Sequence, residues 1–226
     1  LIGGPGVSAK AVRWQMPGAP GVRSVTGVGF RPDVVLHFSL GDYFVEVPPA
    51  LRANAFHGMG VMERGGGQWA FEAGSIDAYA PSLTGRFQRT DAALYLSYLP
   101  SQVAKQASFV SMDADGFTLN FTAATAFLPQ TISLALAGVA AKAGSFNKAT
   151  GAAPAAQSIT GAGFRPGLVL LASVQEVAVT PTPITHSRMG LGASDGVTAG
   201  SIAWNDTTAA TPSDVKAVDK LNKVCL

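Results

Sequence analysis

Three histidines, one cysteine and fourteen carboxylates are the stock from which this chain could build a catalytic or metal centre. His37 lies within the apolar run Val34-Val35-Leu36-His37-Phe38, where a half-buried strand histidine is the expected reading. His57 and His186 each precede a Met-Gly pair, Met59-Gly60 and Met189-Gly190, and read as loop-edge histidines, with one shared site as the alternative. Neither has a second histidine or cysteine at metal-ligand spacing. Asp113-Ala114-Asp115-Gly116 opens like a calcium loop. It lacks the later Asp/Asn positions and the closing bidentate Glu, so it reads as a hairpin turn. Gly65-Gly66-Gly67 lacks the spacing and the Lys-Ser/Thr of a phosphate cradle and reads as a flexible loop. A paired-carboxylate glycosidase has no support in the scattered acids. No catalytic, metal or cofactor residue is therefore assigned. Trp69 and Trp204 are expected to pack at a sheet edge or subunit contact, with aromatic platforms for stacking on a sugar or a partner as the alternative. With His57 and His186 they form the candidate contact set.

The elements that would position these residues are written twice. Ser24-Val25-Thr26-Gly27-Val28-Gly29-Phe30-Arg31-Pro32 returns as Ser158-Ile159-Thr160-Gly161-Ala162-Gly163-Phe164-Arg165-Pro166, an offset of 134 residues. That period is too long for a solenoid unit and fits a duplicated domain. Gly6-Val7-Ser8-Ala9-Lys10-Ala11 pairs with Gly138-Val139-Ala140-Ala141-Lys142-Ala143. Met59-Gly60 is matched with Met189-Gly190, Ala73-Gly74-Ser75-Ile76 with Ala199-Gly200-Ser201-Ile202, and Pro81-Ser82 with Pro212-Ser213. These matches set Trp204 opposite Ala78. The changing offsets mark small insertions and deletions of the kind loops tolerate. Two domains follow, 1–137 and 138–226. The second stops before any equivalent of 97–131, and the chain opens at Leu1 without an initiator Met. Both features read as a window on a longer polypeptide or as a processed product. In the corner itself, Gly29 and Gly163 are expected at positive φ, and Phe30 and Phe164 are expected to plug a core.

Composition narrows the class. Charged residues are 13% of the chain, about half the usual ~25%, while Gly 26 and Pro 14 are high. A net charge of +2 with no Lys/Arg cluster gives no nucleic-acid surface. No run approaches the ~18 apolar residues of a membrane span, and no signal peptide is visible. The single cysteine, Cys225, excludes an internal disulfide.

Gly and Pro punctuate the chain at the spacing of a β-sandwich or barrel. Strands are expected at 23–28, 33–39, 56–62, 68–72, 92–98, 108–112, 117–122 and 131–137. The alternation Phe117, Leu119, Phe121 is the clearest of them, and Asp115-Gly116 before it is a strong hairpin signal. Residues 213–224 have helical spacing in Val215, Val218 and Leu221, but their pairing with the first copy argues for a strand. The expected fold is all-β: two tandem antiparallel β-sandwich domains of jelly-roll type, the second incomplete.

The corner Thr26-Gly27-Val28-Gly29-Phe30-Arg31-Pro32-Asp33-Val34-Val35-Leu36 is one half of a resemblance. The other half is Phe109-Val110-Ser111-Met112-Asp113-Ala114-Asp115-Gly116-Phe117-Thr118-Leu119-Asn120-Phe121 followed by Ile132-Ser133-Leu134-Ala135-Leu136-Ala137-Gly138. Together they resemble the TGxGFxPdlV … SfdsDGFtlnwt … yLALgG pattern of a group of tailed-phage and prophage structural proteins. The second copy departs from it, with Lys220-Leu221-Asn222 in place of Arg89-Thr90-Asp91 and no Asp-Gly-Phe segment. The resemblance implies a non-enzymatic virion protein of capsid surface or tail, whose partners are other virion subunits in a homo-oligomer. The alternative expectation is a carbohydrate-binding module that adsorbs to host glycans. A glycan-degrading enzyme is the third and least supported.

Overall fold

The computed structural model describes residues 4–40, 54–76, 83–99, 102–149, 151, 156–174, 186–207 and 214–221. Among them every regular element is a strand, and every pairing is antiparallel. The first copy supplies ten: β1 (Ser8–Gln15), β2 (Gly21–Thr26), β3 (Val34–Leu40), β4 (Asn54–Glu63), β5 (Gln68–Ile76), β6 (Leu83–Arg89), β7 (Leu94–Leu99), β8 (Gln102–Asp113), β9 (Gly116–Ala124) and β10 (Gln130–Ala137). The second supplies β11 (Val169–Val174), β12 (His186–Ser194), β13 (Ala199–Thr207) and β14 (Asp214–Leu221). Sequence reading misses β1 and β6, whose Lys10, Arg13 and Arg86 interrupt the apolar pattern. Residues 214–221 are strand, as the repeat requires and the three-residue spacing does not.

A six-stranded sheet, β1-β10-β3-β4-β5-β6, faces a four-stranded one, β2-β9-β8-β7. Their apolar faces close one core from Trp14, Val35, Met62 and Ala135 on the large sheet and Val25, Leu94, Ala107, Phe117, Leu119 and Phe121 on the small one. This is a β-sandwich built by alternate inward-facing residues. The sheets approach closely where side chains are missing: a Cβ on Gly60 would overlap the carbonyl oxygen of Ala93, just before β7.

The second copy forms one sheet, β11-β12-β13-β14. Strand registers now fix the internal correspondence. In the first copy His37 pairs with Gly60, and Gly60 with Ala70. In the second, Leu171 pairs with Gly192, and Gly192 with Ser201. Anchored on the corner, β3, β4, β5 and β6 thus correspond to β11, β12, β13 and β14. Gly58 and Gly60 match Gly190 and Gly192, and Ala73 matches Trp204. Three sequence alignments are corrected by this: Met59-Gly60 does not match Met189-Gly190, Ala73-Gly74-Ser75-Ile76 does not match Ala199-Gly200-Ser201-Ile202, and Trp204 does not match Ala78. The two-residue slip in β12 keeps each side chain on its face and so leaves no mark in the hydrophobic pattern, whereas the five-residue slip in β13 reverses the faces.

The two copies meet outer face to outer face. β12 lies over β5 and β6, and β11 over β6. Trp204 on β13 reaches His57 on β4. Equivalent strands therefore exchange partners across the seam, β4 with the counterpart of β5 and β5 with the counterpart of β4. That is the arrangement of an isologous pair within one chain.

Candidate functional site

The seam gathers three of the four residues singled out by sequence. Trp69, Phe71, Ala73 and Met189 are buried together, with Met59, Val61, Ala172, Val174, Leu191 and Trp204 packed around them. Trp69 is only 9% exposed, and its ring lies 5.2 Å from that of Phe71. The rings of His57 and Trp204 are 5.1 Å apart and tilted by 40°. Burial pushes the His57 imidazole below its ordinary pKa. The Nε2 of His57 and the Nε1 of Trp69 are both buried without a hydrogen-bond partner. His186 pairs with Thr207 through the backbone, and its side chain lies outside the described residues. These aromatics join two sheets, an arrangement unlike the open shelf that stacking on a sugar requires.

A second constellation joins the two halves of the sequence pattern. Gly27 and Gly29 have φ of 85° and 87°, which turns their amides toward one point. Asp115 occupies that point: Gly27 N–H donates to Oδ2 at 3.0 Å and Gly29 N–H to Oδ1 at 2.5 Å. Successive amides in this conformation make a concavity for an anion. These two hydrogen bonds hold the Asp115 carboxyl below the usual carboxylate range. The strands on either side complete the clasp, with Thr26 opposite Gly116 and Val25 opposite Phe117. Asp113 accepts from Ser111 Oγ and Thr118 Oγ1, each at 2.6 Å. The calcium-like run is thus a two-residue hairpin turn, with its acids engaged by the chain's own donors. Among the described residues no group of three or more His, Cys, Asp or Glu side chains converges.

The glycine run after β4 also serves a carboxylate. Gly65 and Gly67 donate their amides to Glu63, Lys142 Nζ approaches it at 3.3 Å, and Gly66 N–H closes the turn on the Glu63 carbonyl. The expected flexible loop is a tight β4–β5 turn.

At two ionisable groups the burial goes beyond the sequence reading. His37 is wholly buried rather than half-buried. Its Nδ1 lies 2.8 Å from Ser133 Oγ, which accepts from Trp14 Nε1–H at 2.8 Å. Burial lowers the His37 pKa to about 3. Glu72 is wholly buried and receives the Ser97 amide at 2.8 Å; burial raises its pKa to about 8. Neither position had a signal beyond a polar residue in an apolar strand. Gly192-Ala193-Ser194-Asp195-Gly196 also has nucleophile-elbow spacing. It leads from strand into strand rather than helix, and Ser194 Oγ accepts the Gly196 amide at 3.1 Å.

No family model, no curated protein and no solved structure matches the chain. Among the described residues no helix is long and apolar enough to cross a membrane.

Proposed function

We propose that the chain is a non-enzymatic structural subunit of a phage-like particle, located in the virion at its capsid surface or tail, and assembling through β-sandwich faces. One observation carries this reading: the outer face of the large sheet is apolar beyond the seam. Phe38 and Ile132 stand directly opposite each other on that face, with Leu40 beside them, and all three are exposed. An apolar sheet face on a chain of such low charge is the kind of surface subunits bury. The seam supports the reading from within, because the same face of the same repeat already packs against its counterpart. The resemblance of the corner and hairpin to phage structural proteins supplies the particle.

The adsorption reading keeps Trp204 and His57 as its strongest residues, and the burial of Trp69 counts against it. The test is assembly. Light scattering of the purified chain should show concentration-dependent oligomers, shifted at least tenfold toward monomer by Phe38→Asp, and the native protein should co-purify with particles. A strictly monomeric protein that binds glycans and loses that binding in Trp204→Ala would overturn the proposal in favour of adsorption.

A further inference from the structure

The seam between the copies is an internal two-fold whose two ends differ. Near its axis the match is reciprocal: His57 meets Trp204, and Ala73, the counterpart of Trp204, shares a cluster with Met189, the counterpart of His57. At one end β6 meets β11, and there Arg86, paired with Ala73 on the seam face, is only 3% exposed. Val174 of β11 packs on the same cluster. The same symmetry sets β14 toward β3 at the other end. There Ala217 is the counterpart of Arg86, since it pairs with Trp204 as Arg86 pairs with Ala73. Ala217 is exposed, and Leu40, the counterpart of Val174, is 46% exposed. One end of the seam is thus filled by a long cationic side chain, and the other carries a methyl group in its place.

A pocket of about 270 Å³ lies at that position. Among the described residues it is lined by the paired Trp204 and Ala217, the paired Ile202 and Asp219, and Ala203 and Val218 between them. By alternation the four paired residues share the seam face of the second sheet, the face turned away from a sandwich core. The volume falls below the ~300–1,000 Å³ of sites that enclose a drug-sized ligand and suits a single side chain. An indole attracts a cation to its ring, Ile202 and Ala217 cover an aliphatic stem, and Asp219 brings an anionic acceptor. Asp219 stands where the first copy has Gln88, so Arg86 and Gln88 in one copy become Ala217 and Asp219 in the other. We propose that this pocket binds an arginine side chain of a partner subunit, its guanidinium against Trp204 and paired with Asp219. Arginine is favoured over lysine because a planar, weakly hydrated guanidinium both stacks on an aromatic ring and forks onto a carboxylate. The inference rests on the assembly reading only for the protein that brings the arginine.

The test titrates the full chain, isotope-labelled, with Nα-acetyl-arginine amide while its indole and backbone resonances are followed, the Trp204 indole being assigned with Trp204→Phe. Shifts should be saturable and centred on Trp204, Ala217 and Asp219. Asp219→Asn should weaken binding about tenfold, through loss of a charge-assisted pair. Nα-acetyl-lysine amide should bind several-fold more weakly than the arginine probe. Ala217→Arg, which restores the residue of the first copy, should abolish the response and raise Tm. The absence of a saturable response overturns the proposal. So does equal binding of the lysine probe, indifference to Asp219→Asn, or undiminished binding by a folded Ala217→Arg variant. Both variants change exposed residues, and their amide spectra report folding directly. Oligomers that form without any response to the probe would leave the assembly reading standing and remove the pocket, whereas a strict monomer that binds the probe would do the reverse.

Discussion

In the first corner, residues 24–32, Val25 is buried beneath the small sheet and the amides of Gly27 and Gly29 hold Asp115. In the second, residues 158–166, Ile159 is open, and the corresponding amides hold nothing among the described residues. Yet the four glycines share nearly the same φ. Backbone shape here is a local property of the Thr-Gly-x-Gly-Phe run, because glycine reaches positive φ without steric cost. Cover is a non-local property that depends on what strand arrives. The pair separates the two causes in one polypeptide.

The sharpest way to test that separation uses equivalent residues on the outer faces. Phe71 in β5 corresponds to Ile202 in β13, and they are 2% and 51% exposed. Phe71→Ala leaves a cavity in the seam and should cost ~3–5 kcal/mol. Ile202→Ala should stay within about 0.5 kcal/mol, as surface changes do. Denaturant titration of both variants reads the contrast, and comparable losses would mean that the second sheet is covered as fully as the first.

Much of this was legible beforehand, and what was hidden has physical causes. The duplicated corner, the Asp-Gly hairpin and the strand at 214–221 follow from turn chemistry and internal repetition. Strand order does not, since β1 pairs with β10 across more than a hundred residues and nothing local records it. The aromatic cluster was half visible. Trp69 and Trp204 stood out as lacking counterparts, but their meeting depends on two copies packing by equivalent faces. The two-residue slip in β12 was invisible because parity is all that burial reports. Phe164 was expected to plug a core and is exposed, because its local sequence matches Phe30 while its cover does not.

The next contrast is electrostatic and smaller. Glu72 corresponds to Ala203, so at this position the first copy buries an acid and the second does not. Its pKa, near 8 in the folded protein against an ordinary 4.5, means that the folded state holds the proton more tightly. Stability should therefore fall as pH rises from about 4.5 to about 8 and level off above. His37, lowered from 6.5 to about 3, acts in the opposite sense: stability rises with pH across that range. The two overlap between 4.5 and 6.5 and oppose each other there. Above 6.5 the Glu72 contribution is no longer opposed by His37. Denaturation midpoints for Glu72→Gln should be flat between pH 6.5 and 8 where the parent declines, and parallel curves would refute the buried-acid account.

The smallest expected effect bears most directly on the two corners. Asp115 lies at the surface, so its hydrogen bonds to Gly29 and Gly27 compete with water, and Asp115→Asn should lower Tm only slightly at neutral pH. The sign of its pH dependence is nevertheless fixed. A carboxyl held below its ordinary value contributes stability above about 3.8, and that contribution vanishes as pH falls through the lowered value. The gap between parent and variant should be constant from pH 7 to pH 5 and close in stronger acid. Asp195 supplies the control, since its carboxyl is also lowered, but by the amides of its own turn, Thr198 and Val197. Asp195→Asn should reproduce the pH profile without changing hydrogen exchange at Gly27 and Gly29, whereas Asp115→Asn should speed exchange at both. If the two variants were indistinguishable at those amides, the clasp would be a turn like any other.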